Sequence, residues 1–467
     1  RPMAILPRVF DVVVVGAGIS GLVAAYRLQC AGLTVQVVEA AARPGGVIQS
    51  VVRDGCLFEC GPNSALDTTP LIGRLVEALG LGAQMRFASA AADRRYVVRQ
   101  GKPMPLPLSP GAFLRTRLFS PSAKLALLRE IFVAPAPPQA EESIAAFVRR
   151  RLGREFLDYA IDPFVAGIYA GDPEEISVRA AFPKLHALEQ RWGSLIRGQV
   201  LGARERRQLQ QTAKNTAKSF SFALGMQQLS DALAATLTQL SLNTRATRIE
   251  RDATGLFTLH AEQAGRPCDW RSRALLLATP AGAAATLLHE HASDASAALQ
   301  TIHYAPVATV ASAYAADTID HPLDGFGCLV PRKERRRILG VLFSSRMFDG
   351  RAPAGMALLT TFVGGQRAPE LPGLPEPEIA ALVHGEHALL LGARRPPMFQ
   401  AVTRWPQAIP QYTLGHLDRV ARATAAQRVL PGLFLCASWK GGVSVGDCIA
   451  NGHLEADAVA SWLQLRA

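Results

Sequence analysis

Three glycines and one acid have the spacing that is most informative about chemistry. Gly16, Gly18 and Gly21 form a G-x-G-x-x-G turn, and Glu39 follows about twenty residues later. The first glycine permits a tight turn, the second lets a pyrophosphate approach the backbone, and the third lets a helix pack closely. A carboxylate at Glu39 is placed to accept hydrogen bonds from ribose hydroxyls. These residues predict a dinucleotide site.

The elements around the turn are those that such a site requires. Residues 12–15 are apolar and predict a buried strand, residues 22–28 open a helix, and residues 33–38 predict a second strand that ends at Glu39. A phosphate at the helix N-terminus is favoured by free N–H groups and the helix dipole. NAD and FAD both remain open on this fingerprint.

A second glycine pair follows the acid. Arg43-Pro44-Gly45-Gly46 resembles the R-x-G-G continuation of FAD enzymes of the amine-oxidase type, in which the glycines lie close to the flavin side. The alternative is a Pro-Gly turn with no ligand. The position directly after Glu39 favours FAD.

Composition restricts the partners and the chemistry. Among 467 residues, 50 Lys and Arg exceed 38 Asp and Glu, so the formal net charge is +12. This balance is typical of a protein that meets a membrane surface or an acidic substrate, or of a generally basic protein. We expect no nucleic-acid binding, because the arginines are scattered and no aromatic-basic motif is present. The seven cysteines lack a C-x-x-C pair, so we expect reduced packing residues and no metal site.

The pattern along the chain predicts three domains. Strand and helix signals alternate in residues 8–88, return in 220–300 and again in 413–467, which we assign to one discontinuous Rossmann-like domain. Residues 89–108 and 301–412 are richer in strands and form a second, mixed-sheet domain. Residues 109–219 are helical. Their basic amphipathic helices predict either an interfacial membrane contact or an ordinary helical subdomain.

Individual elements have predicted bounds. We expect helices over 71–81, 229–240 and 447–465 and strands over 274–278 and 433–437. Val443, Ser444 and Val445 precede the last helix, whose N-terminus lies at a flavin edge or is a plain cap. We find no secretory signal and no apolar run that approaches the roughly 18 residues of a transmembrane helix, so we expect a cytoplasmic protein.

Several stretches resemble the FAD-dependent protoporphyrinogen oxidases. The resemblance is carried by residues 164–173 (FVAGIYAGDP), 181–185 (AFPKL), 193–198 (GSLIRG), 409–412 (IPQY), 59–64 (ECGPNS) and the Gly441-Gly442-Val443 turn. It spans nearly the whole chain. The glycine fingerprint is shared by many flavoenzymes, but the 164–198 run is not.

The resemblance implies a fold, an activity and partners. The fold would be α/β plus α, with an FAD-binding domain of the p-hydroxybenzoate hydroxylase and amine-oxidase type, a mixed-sheet substrate domain and a helical membrane-associated domain. The activity would be oxidation of protoporphyrinogen IX to protoporphyrin IX, in three two-electron steps with O2 as acceptor and H2O2 as product. Implied partners are a homodimer mate, the inner face of the cytoplasmic membrane and a haem-pathway enzyme that accepts the product.

The resemblance also transfers cofactor residues. Non-covalent FAD would be held by the glycine turn, by Glu39, by the turn at residues 61–64 and by segments from the middle and the end of the chain. The full set is Gly16, Gly18, Ile19, Ser20, Gly21, Glu39, Arg43, Gly45, Gly46, Val47, Gly61, Pro62, Asn63, Ser64, Ala246, Trp405, Val443, Ser444 and Val445.

The substrate pocket transfers in the same way. Arg95 matches the arginine that holds a propionate in the family, with Arg94 as the alternative if the alignment shifts by one. The other pocket residues are Gly167, Leu329, Leu342 and Phe362. For the two leucines, core packing is the competing interpretation. Asn63 is the one candidate near the reacting carbon, and its weakly basic amide would orient the substrate.

Other functions remain as alternatives. Coproporphyrinogen III is a second possible substrate, and its four propionates would favour more cations in the pocket. An amine oxidase or carotenoid desaturase would use the same scaffold, with an aromatic cage or a cysteine-linked FAD; Cys448 lies in the terminal helix. A non-catalytic flavoprotein scaffold is the third alternative. The electron acceptor, the dimer interface and the depth of membrane contact are not encoded in any motif.

Overall fold

The computed structural model describes residues 8–199, 201 and 217–466. Its strands, in chain order, are β1 Val9–Val15, β2 Val35–Val38, β3 Ser50–Arg53, β4 Cys56–Glu59, β5 Ala65–Leu66, β6 Met85–Phe87, β7 Arg95–Arg99, β8 Lys102–Pro105, β9 Ser219–Phe222, β10 Leu240–Ser241, β11 Thr244–Arg251, β12 Phe257–Gln263, β13 Arg266–Leu277, β14 Tyr304–Ala315, β15 Gly327–Leu329, β16 Gly340–Leu342, β17 Met356–Gly364, β18 Phe399–Pro410 and β19 Leu433–Leu435.

The α-helices are identified by their bounds. They are Ile19–Cys30, Pro70–Ala78, Pro110–Arg115, Pro121–Leu128, Ile144–Arg151, Arg154–Phe156, Asp162–Tyr169, Val178–Ala181, Pro183–Trp192, Gln227–Thr236, Ala281–Leu288, Ser293–Gln300, Ser344–Met347, Glu376–Leu391, His416–Val429 and Val445–Gln464. No helix in the described ranges combines the length and the apolar character that crossing a membrane demands.

The first sheet has the order β10-β2-β1-β13-β12-β11, with β19 also paired to β13. Strands β10, β2, β1, β13 and β19 run parallel, which explains why β1 is almost uniformly apolar: helices cover both of its faces. Val12 and Val14 face the helices Ile19–Cys30 and Val445–Gln464, while Val13 and Val15 face the helices of residues 281–300 and 416–429. Strands from the beginning, middle and end of the chain therefore build one sheet.

The second sheet has the order β18-β14-β17-β16-β15-β7-β8. Its strands pair antiparallel except β15 with β7, which run parallel. Strands β7 and β8 come from residues 95–105, and all the others come from residues 304–410. These ranges fall within the two segments that the sequence assigns to a second domain. Two small sheets, β3-β4 and β5-β9-β6, lie at the junction.

A helical block follows β8. The helices Arg154–Phe156 and Asp162–Tyr169 are joined by a π-helical turn, Leu157–Ile161, so that residues 154–169 form one continuous helical rod. Ser143 caps the helix Ile144–Arg151 through a hydrogen bond from the Ala146 N–H. Residues 200 and 202–216, which belong to the predicted 109–219 domain, lie outside the described residues.

Several predicted bounds require correction. The helix predicted over 71–81 ends at Ala78, because Gly80 adopts a left-handed φ of +69°. The helix predicted over 229–240 ends at Thr236, and Leu240 instead pairs with Val37 in the first sheet. The strand predicted over 274–278 is the end of a much longer strand, β13, and the strand predicted over 433–437 stops at Leu435. The helix Glu376–Leu391 interrupts a region expected to be rich in strands.

Candidate active site

The glycine turn lies at the carboxyl end of β1. Gly16 has φ +105°, and a Cβ there would lie 2.5 Å from the Ala278 carbonyl oxygen. A Cβ on Gly21 would lie 2.0 Å from the Gly16 carbonyl oxygen. A Cβ on Gly18 would meet no described atom within 4 Å. Packing therefore requires glycine at positions 16 and 21, whereas Gly18 borders open space that a pyrophosphate fits.

Glu39 stands beside this turn. Its Oε2 accepts a hydrogen bond from the Ala17 N–H at 2.7 Å, and its Oε1 accepts one from the Ala41 N–H at 2.8 Å. A carboxylate has about four acceptor sites, so two remain for ribose hydroxyls. The strand β11, which carries Ala246, begins next to Glu39, since the Thr244 N–H donates to the Glu39 carbonyl at 2.8 Å. The adenosine side of the site is thereby assembled.

The second glycine pair packs against the first turn. The Gly45 N–H donates to the Ala17 carbonyl at 2.8 Å, and Gly45 and Gly46 have φ of +102° and +60°. The Arg43 guanidinium donates to the carbonyls of Gly46 at 2.7 Å and Ile48 at 2.9 Å. Arg43 therefore holds its own loop in place.

The turn at residues 61–64 follows β4. A Cβ on Gly61 would lie 1.9 Å from the Val47 carbonyl oxygen, so this turn touches the second glycine loop. The Cys60 carbonyl accepts the indole N–H of Trp405 at 2.7 Å and the hydroxyl of Thr309 at 2.8 Å. These two bonds tie the turn to the second sheet, and they place Trp405 next to the predicted flavin segment.

Asn63 in this turn has an unsatisfied donor. Its Nδ2 is buried and has no hydrogen-bond partner among the described residues. Its Oδ1 accepts a long, 3.5 Å hydrogen bond from the Ser344 hydroxyl, which is 2.8 Å from the Thr360 hydroxyl. A small cavity lined in part by Asn63, Ser344, Glu59 and Arg351 adjoins the amide. A buried donor without a partner fits a site that a ligand completes.

The last helix closes the site from the other side. Gly452 of the helix Val445–Gln464 packs on the helix Ile19–Cys30 so closely that a Cβ there would lie 2.8 Å from the Ser20 carbonyl oxygen. Ser444 is the N-cap and accepts from the Asp447 N–H at 3.1 Å. The first turn of this helix lies beside β5 and the helix Pro70–Ala78, since a Cβ on Gly446 would lie 3.4 Å from the Leu66 carbonyl oxygen and 3.6 Å from the Ile72 Cδ1. Cys448 is buried within the helix, and burial raises the pKa of its thiol to about 11.

A tyrosine outside the predicted set holds the preceding turn. The Tyr412 hydroxyl donates to the Ser438 carbonyl at 2.6 Å and accepts from the Gly442 N–H at 2.9 Å. Its ring stacks on His416 at a centroid distance of 4.0 Å. Burial lowers the pKa of His416 to about 4, so this imidazole is neutral at physiological pH. The residues Ile409-Pro410-Gln411-Tyr412 thus support the cofactor end of the chain.

The predicted substrate residues come together on one face of the second sheet. In the strand register Leu329 lies opposite Gly340, and Gly340 lies opposite Phe362. Gly327 lies opposite Leu342 in the same pair of strands. Residues two apart share a face, so Leu329, Leu342 and Phe362 point to the same side. All three are only half-buried. The two glycines between them allow close approach of the strands, since a Cβ on Gly327 would lie 2.3 Å from the Val341 carbonyl oxygen and one on Gly340 2.9 Å from the Cys328 carbonyl oxygen.

Arg95 belongs to this same face. It lies opposite Gly327 in the parallel pairing of β7 with β15. The other face carries Cys328, Val341 and Thr361, which are buried in the domain core. The sheet therefore divides its side chains into a packed face and an open face, on which Arg95 and the large apolar groups are partly exposed while Val97 and Thr360 are buried. Leu329 also packs against the cluster around Val97, and Leu342 packs against Met347 and Phe348, so both leucines contribute to packing on this face.

The two adjacent arginines differ in their contacts. Arg94 pairs with Asp324, whose Oδ1 also accepts the Tyr96 hydroxyl at 2.6 Å. Arg95 forms no ion pair within the described ranges, and its guanidinium lies over the ring of Phe326 at 5.0 Å. Part of the Arg95 side chain is open to solvent. Desolvation of the guanidinium lowers the pKa of Arg95, and the negative charge of Asp93 acts in the opposite direction and raises it. A carboxylate ligand would compensate Arg95 better than Arg94.

Gly167 faces the open side of the sheet. It lies in the helix Asp162–Tyr169, and a Cβ at this position would lie 3.1 Å from the Leu329 Cδ2. The helical block and the second sheet therefore meet at the predicted pocket.

Sequence reasoning missed Ser344, Thr360 and Tyr412; strand parity with Phe362 would have indicated Thr360. No group of three or more His, Cys, Asp or Glu in the described part of the chain is arranged to hold a metal ion.

Comparison with known proteins identifies the family of this chain. The family described as flavin-containing amine oxidoreductase matches residues 19–460. The chloroplastic protoporphyrinogen oxidase of Nicotiana tabacum is 35% identical over 97% of this chain and 86% of its own length. The coproporphyrinogen III oxidase of Bacillus subtilis (strain 168) is 28% identical over 97% and 98%. A crystal structure from Exiguobacterium sp. 255-15 superposes with a TM-score of 0.81 at 24% identity, covering 98% of this chain and 100% of that chain. The chain belongs to the FAD-dependent protoporphyrinogen oxidases within the flavin-containing amine oxidoreductase family.

Proposed function

We propose that this enzyme oxidises protoporphyrinogen IX to protoporphyrin IX in haem biosynthesis. Six hydrogens leave the substrate in three two-electron steps, and three O2 are reduced to three H2O2. The observation that carries the proposal is the open sheet face, where Arg95 stands beside Leu329, Leu342 and Phe362. An apolar macrocycle with carboxylate tails matches a face with one cation and large apolar side chains.

Each residue of this face has a distinct role in the proposal. Arg95 binds a propionate, because a guanidinium pairs bidentately with a carboxylate. Phe362 and the leucines contact the pyrrole rings, and Gly167 lets the macrocycle pass close to the helix backbone. The chemistry supplied by bound FAD is two-electron oxidation. The buried Asn63 amide orients the substrate at that end of the site, since it is a donor without a partner in the described structure.

Aerobic incubation with protoporphyrinogen IX tests the activity. We expect porphyrin fluorescence and peroxide to rise together with the FAD-loaded enzyme. Protein stripped of FAD is the control, because it measures the uncatalysed oxidation of the substrate in air. A fully FAD-loaded preparation that oxidises no faster than the stripped protein would contradict the proposal.

Coproporphyrinogen III is the second candidate substrate. The Bacillus relative, which is similar over nearly its whole length, favours it. Its four propionates would need more cations than Arg95, and Arg94 is already paired with Asp324. We therefore expect protoporphyrinogen IX to have the higher kcat/KM. The ratio of the two kcat/KM values under identical conditions decides between the substrates.

We propose in addition that the helical block lies on the inner face of the cytoplasmic membrane. The supporting observation is a set of large apolar side chains that are more than half exposed, with cations between them. The apolar set is Leu108, Leu114, Leu125, Leu128 and Phe132, and the exposed cations are Arg115, Arg117 and Arg129. Such a surface suits an interfacial contact with anionic lipid.

Vesicle flotation tests the membrane contact. The wild type should float with anionic vesicles and less with neutral ones, and Leu128→Glu with Phe132→Glu should abolish flotation. Met398→Glu is the matched control, because Met398 is equally exposed but lies in the second sheet domain. Equal flotation of both variants would exclude this surface.

The homodimer and a product-accepting enzyme of the haem pathway are proposed from the family resemblance. Analytical sedimentation measures the oligomeric state and so tests the homodimer.

A further inference from the structure

A buried ion pair joins the helical block to the second sheet close to the substrate face. Asp162 begins the helix Asp162–Tyr169, and only 6% of the residue is exposed. Its Oδ2 accepts the Arg332 backbone N–H at 2.7 Å and the Arg367 Nη2 at 3.1 Å. Arg367 also donates to the Val330 carbonyl at 2.6 Å. One carboxylate therefore binds two segments of the sheet domain.

The contacts continue along the helix to its other end. The Arg332 side chain reaches Asp172, just beyond the helix, at 2.8 Å. The Gln366 N–H donates to the Ala170 carbonyl at 2.7 Å, and Ala170 is a left-handed C-cap with φ +48°. Arg332 and Gln366 thus fix both ends of an eight-residue helix to the sheet domain.

The held elements are the ones that border the substrate site. Arg332 lies in the connection from β15 to β16, and Leu329 is the last residue of β15. Gly167 lies in the middle of the fixed helix, and its Cβ position is 3.1 Å from the Leu329 side chain. The helix and the sheet are in contact at this point, because a Cβ at position 167 would press on the Leu329 side chain. Whatever fixes the two ends of the helix also holds this contact in place.

We propose that Asp162 and Arg367 form an interdomain latch that holds Gly167 against Leu329 and so sets the position of this border of the porphyrinogen site. The proposal rests on the proposed function. Asp162 and Arg367 are positioning residues, because they act through the helix and the hairpin and do not line the open face. A buried carboxylate here is costly to desolvate, which raises its pKa, and Arg367 opposes that shift. The role of the pair is therefore to fix the position of the helix relative to the sheet domain rather than to add stability.

Steady-state kinetics of Asp162→Asn and Arg367→Lys test the latch. We expect KM for protoporphyrinogen to rise at least tenfold, while kcat and the Kd for FAD stay within twofold. Asp320→Asn is the matched control, since the exposed Asp320–Arg394 pair lies in the same domain but does not reach the helical block. An unchanged KM in a folded latch variant, or a joint loss of kcat and FAD affinity, would overturn the proposal.

Two further measurements keep the test decisive. Leu329→Ala should raise KM in the wild type but much less in Asp162→Asn, because the contact of Gly167 with Leu329 is no longer held in place in that variant. Additive effects of the two substitutions on KM would count against the latch. If Asp162→Asn does not fold, Arg332→Ala removes only the Asp172 contact and should raise KM about threefold. An unchanged KM in Arg332→Ala would then overturn the proposal.

Hydrogen exchange separates failure of the latch from failure of the proposed function. In the latch variants, exchange should accelerate in residues 162–171 and not in residues 19–30, whatever the substrate is. A wild type that does not oxidise porphyrinogen refutes the function. If the wild type oxidises porphyrinogen but the latch variants show unchanged hydrogen exchange and unchanged KM, the latch is refuted.

Discussion

At the residue scale, two adjacent arginines show how contacts separate a structural role from a binding role. Arg94 and Arg95 have the same side chain, and both are exposed at the start of β7. Arg94 is held by Asp324, and Arg95 has no carboxylate partner in the described residues. The resemblance selects Arg95, and the geometry supplies the physical reason: only Arg95 can bind a new carboxylate without first losing an existing one.

Substitution of these arginines should have unequal effects. We expect Arg95→Ala to lower kcat/KM for protoporphyrinogen by tenfold to a hundredfold, because a charge-assisted hydrogen bond contributes about 1.5–3 kcal/mol. Arg94→Ala is the matched control and should change kcat/KM less than threefold. Steady-state kinetics on both variants provide the measurement, and a larger loss for Arg94→Ala would assign the propionate to the other arginine.

Two glycines of the turn should also differ in their response to alanine. A Cβ on Gly18 meets no described atom, so Gly18→Ala should fold and lose FAD. A Cβ on Gly21 would lie 2.0 Å from a backbone oxygen, so Gly21→Ala should be destabilised by several kcal/mol. Thermal unfolding and the ratio of flavin to protein absorbance distinguish the outcomes. A Gly18→Ala variant with full flavin content would show that the cofactor lies elsewhere.

At the element scale, short-range patterns were predictable and long-range pairing was not. The βαβ unit, its acid and the terminal helix follow from apolar periodicity and glycine spacing, which are local signals. The grouping of Leu329, Leu342 and Phe362 depends on the register of three strands, and no local pattern encodes a register. Only the resemblance to the family predicted that these three residues line one pocket. Ser344 belongs to the same geometry and was missed for this reason, whereas Thr360 shares the parity of Phe362 within β17.

The turn before the last helix has a testable dependence on one hydroxyl. Tyr412→Phe leaves the Gly442 N–H and the Ser438 carbonyl without this partner, which should cost about 1–3 kcal/mol of unfolding free energy. Because the turn precedes Val443 and Ser444, the Kd for FAD should rise several-fold. Urea unfolding and flavin titration measure the two effects. Tyr159→Phe, in the helical block, is the control and should leave the Kd for FAD unchanged.

At the scale of the whole molecule, buried neutral histidines couple stability to pH. Burial lowers the pKa of His387 to about 3 and that of His416 to about 4, against about 6.5 in an unfolded chain. Between those values the unfolded chain binds protons that the folded chain does not. The free energy of unfolding should therefore fall as pH drops below 6.5, by at most about 1.4 kcal/mol per pH unit for each histidine.

A substitution isolates one of these contributions. His387 bonds to the hydroxyls of Tyr314 and Thr361, so His387→Gln should be less stable than the wild type at pH 7.5. Its stability should nevertheless decline less steeply toward pH 5, because one titrating group is gone. Urea unfolding at several pH values gives both slopes. The exposed His289 is the control, and His289→Gln should keep the slope of the wild type.

The first sheet takes its central strands from both ends of the chain, and this has a consequence for synthesis. The glycine turn leaves the ribosome early, but the helix Val445–Gln464 that packs on it follows more than four hundred residues later. At about 5–20 residues per second, the wait is roughly 20 to 85 seconds. Through that interval the apolar side of the helix Ile19–Cys30 lacks its partner and is exposed to chaperones and proteases. We expect an interrupted chain, which carries the whole nucleotide fingerprint but lacks this helix, to retain less flavin than a chain that includes it.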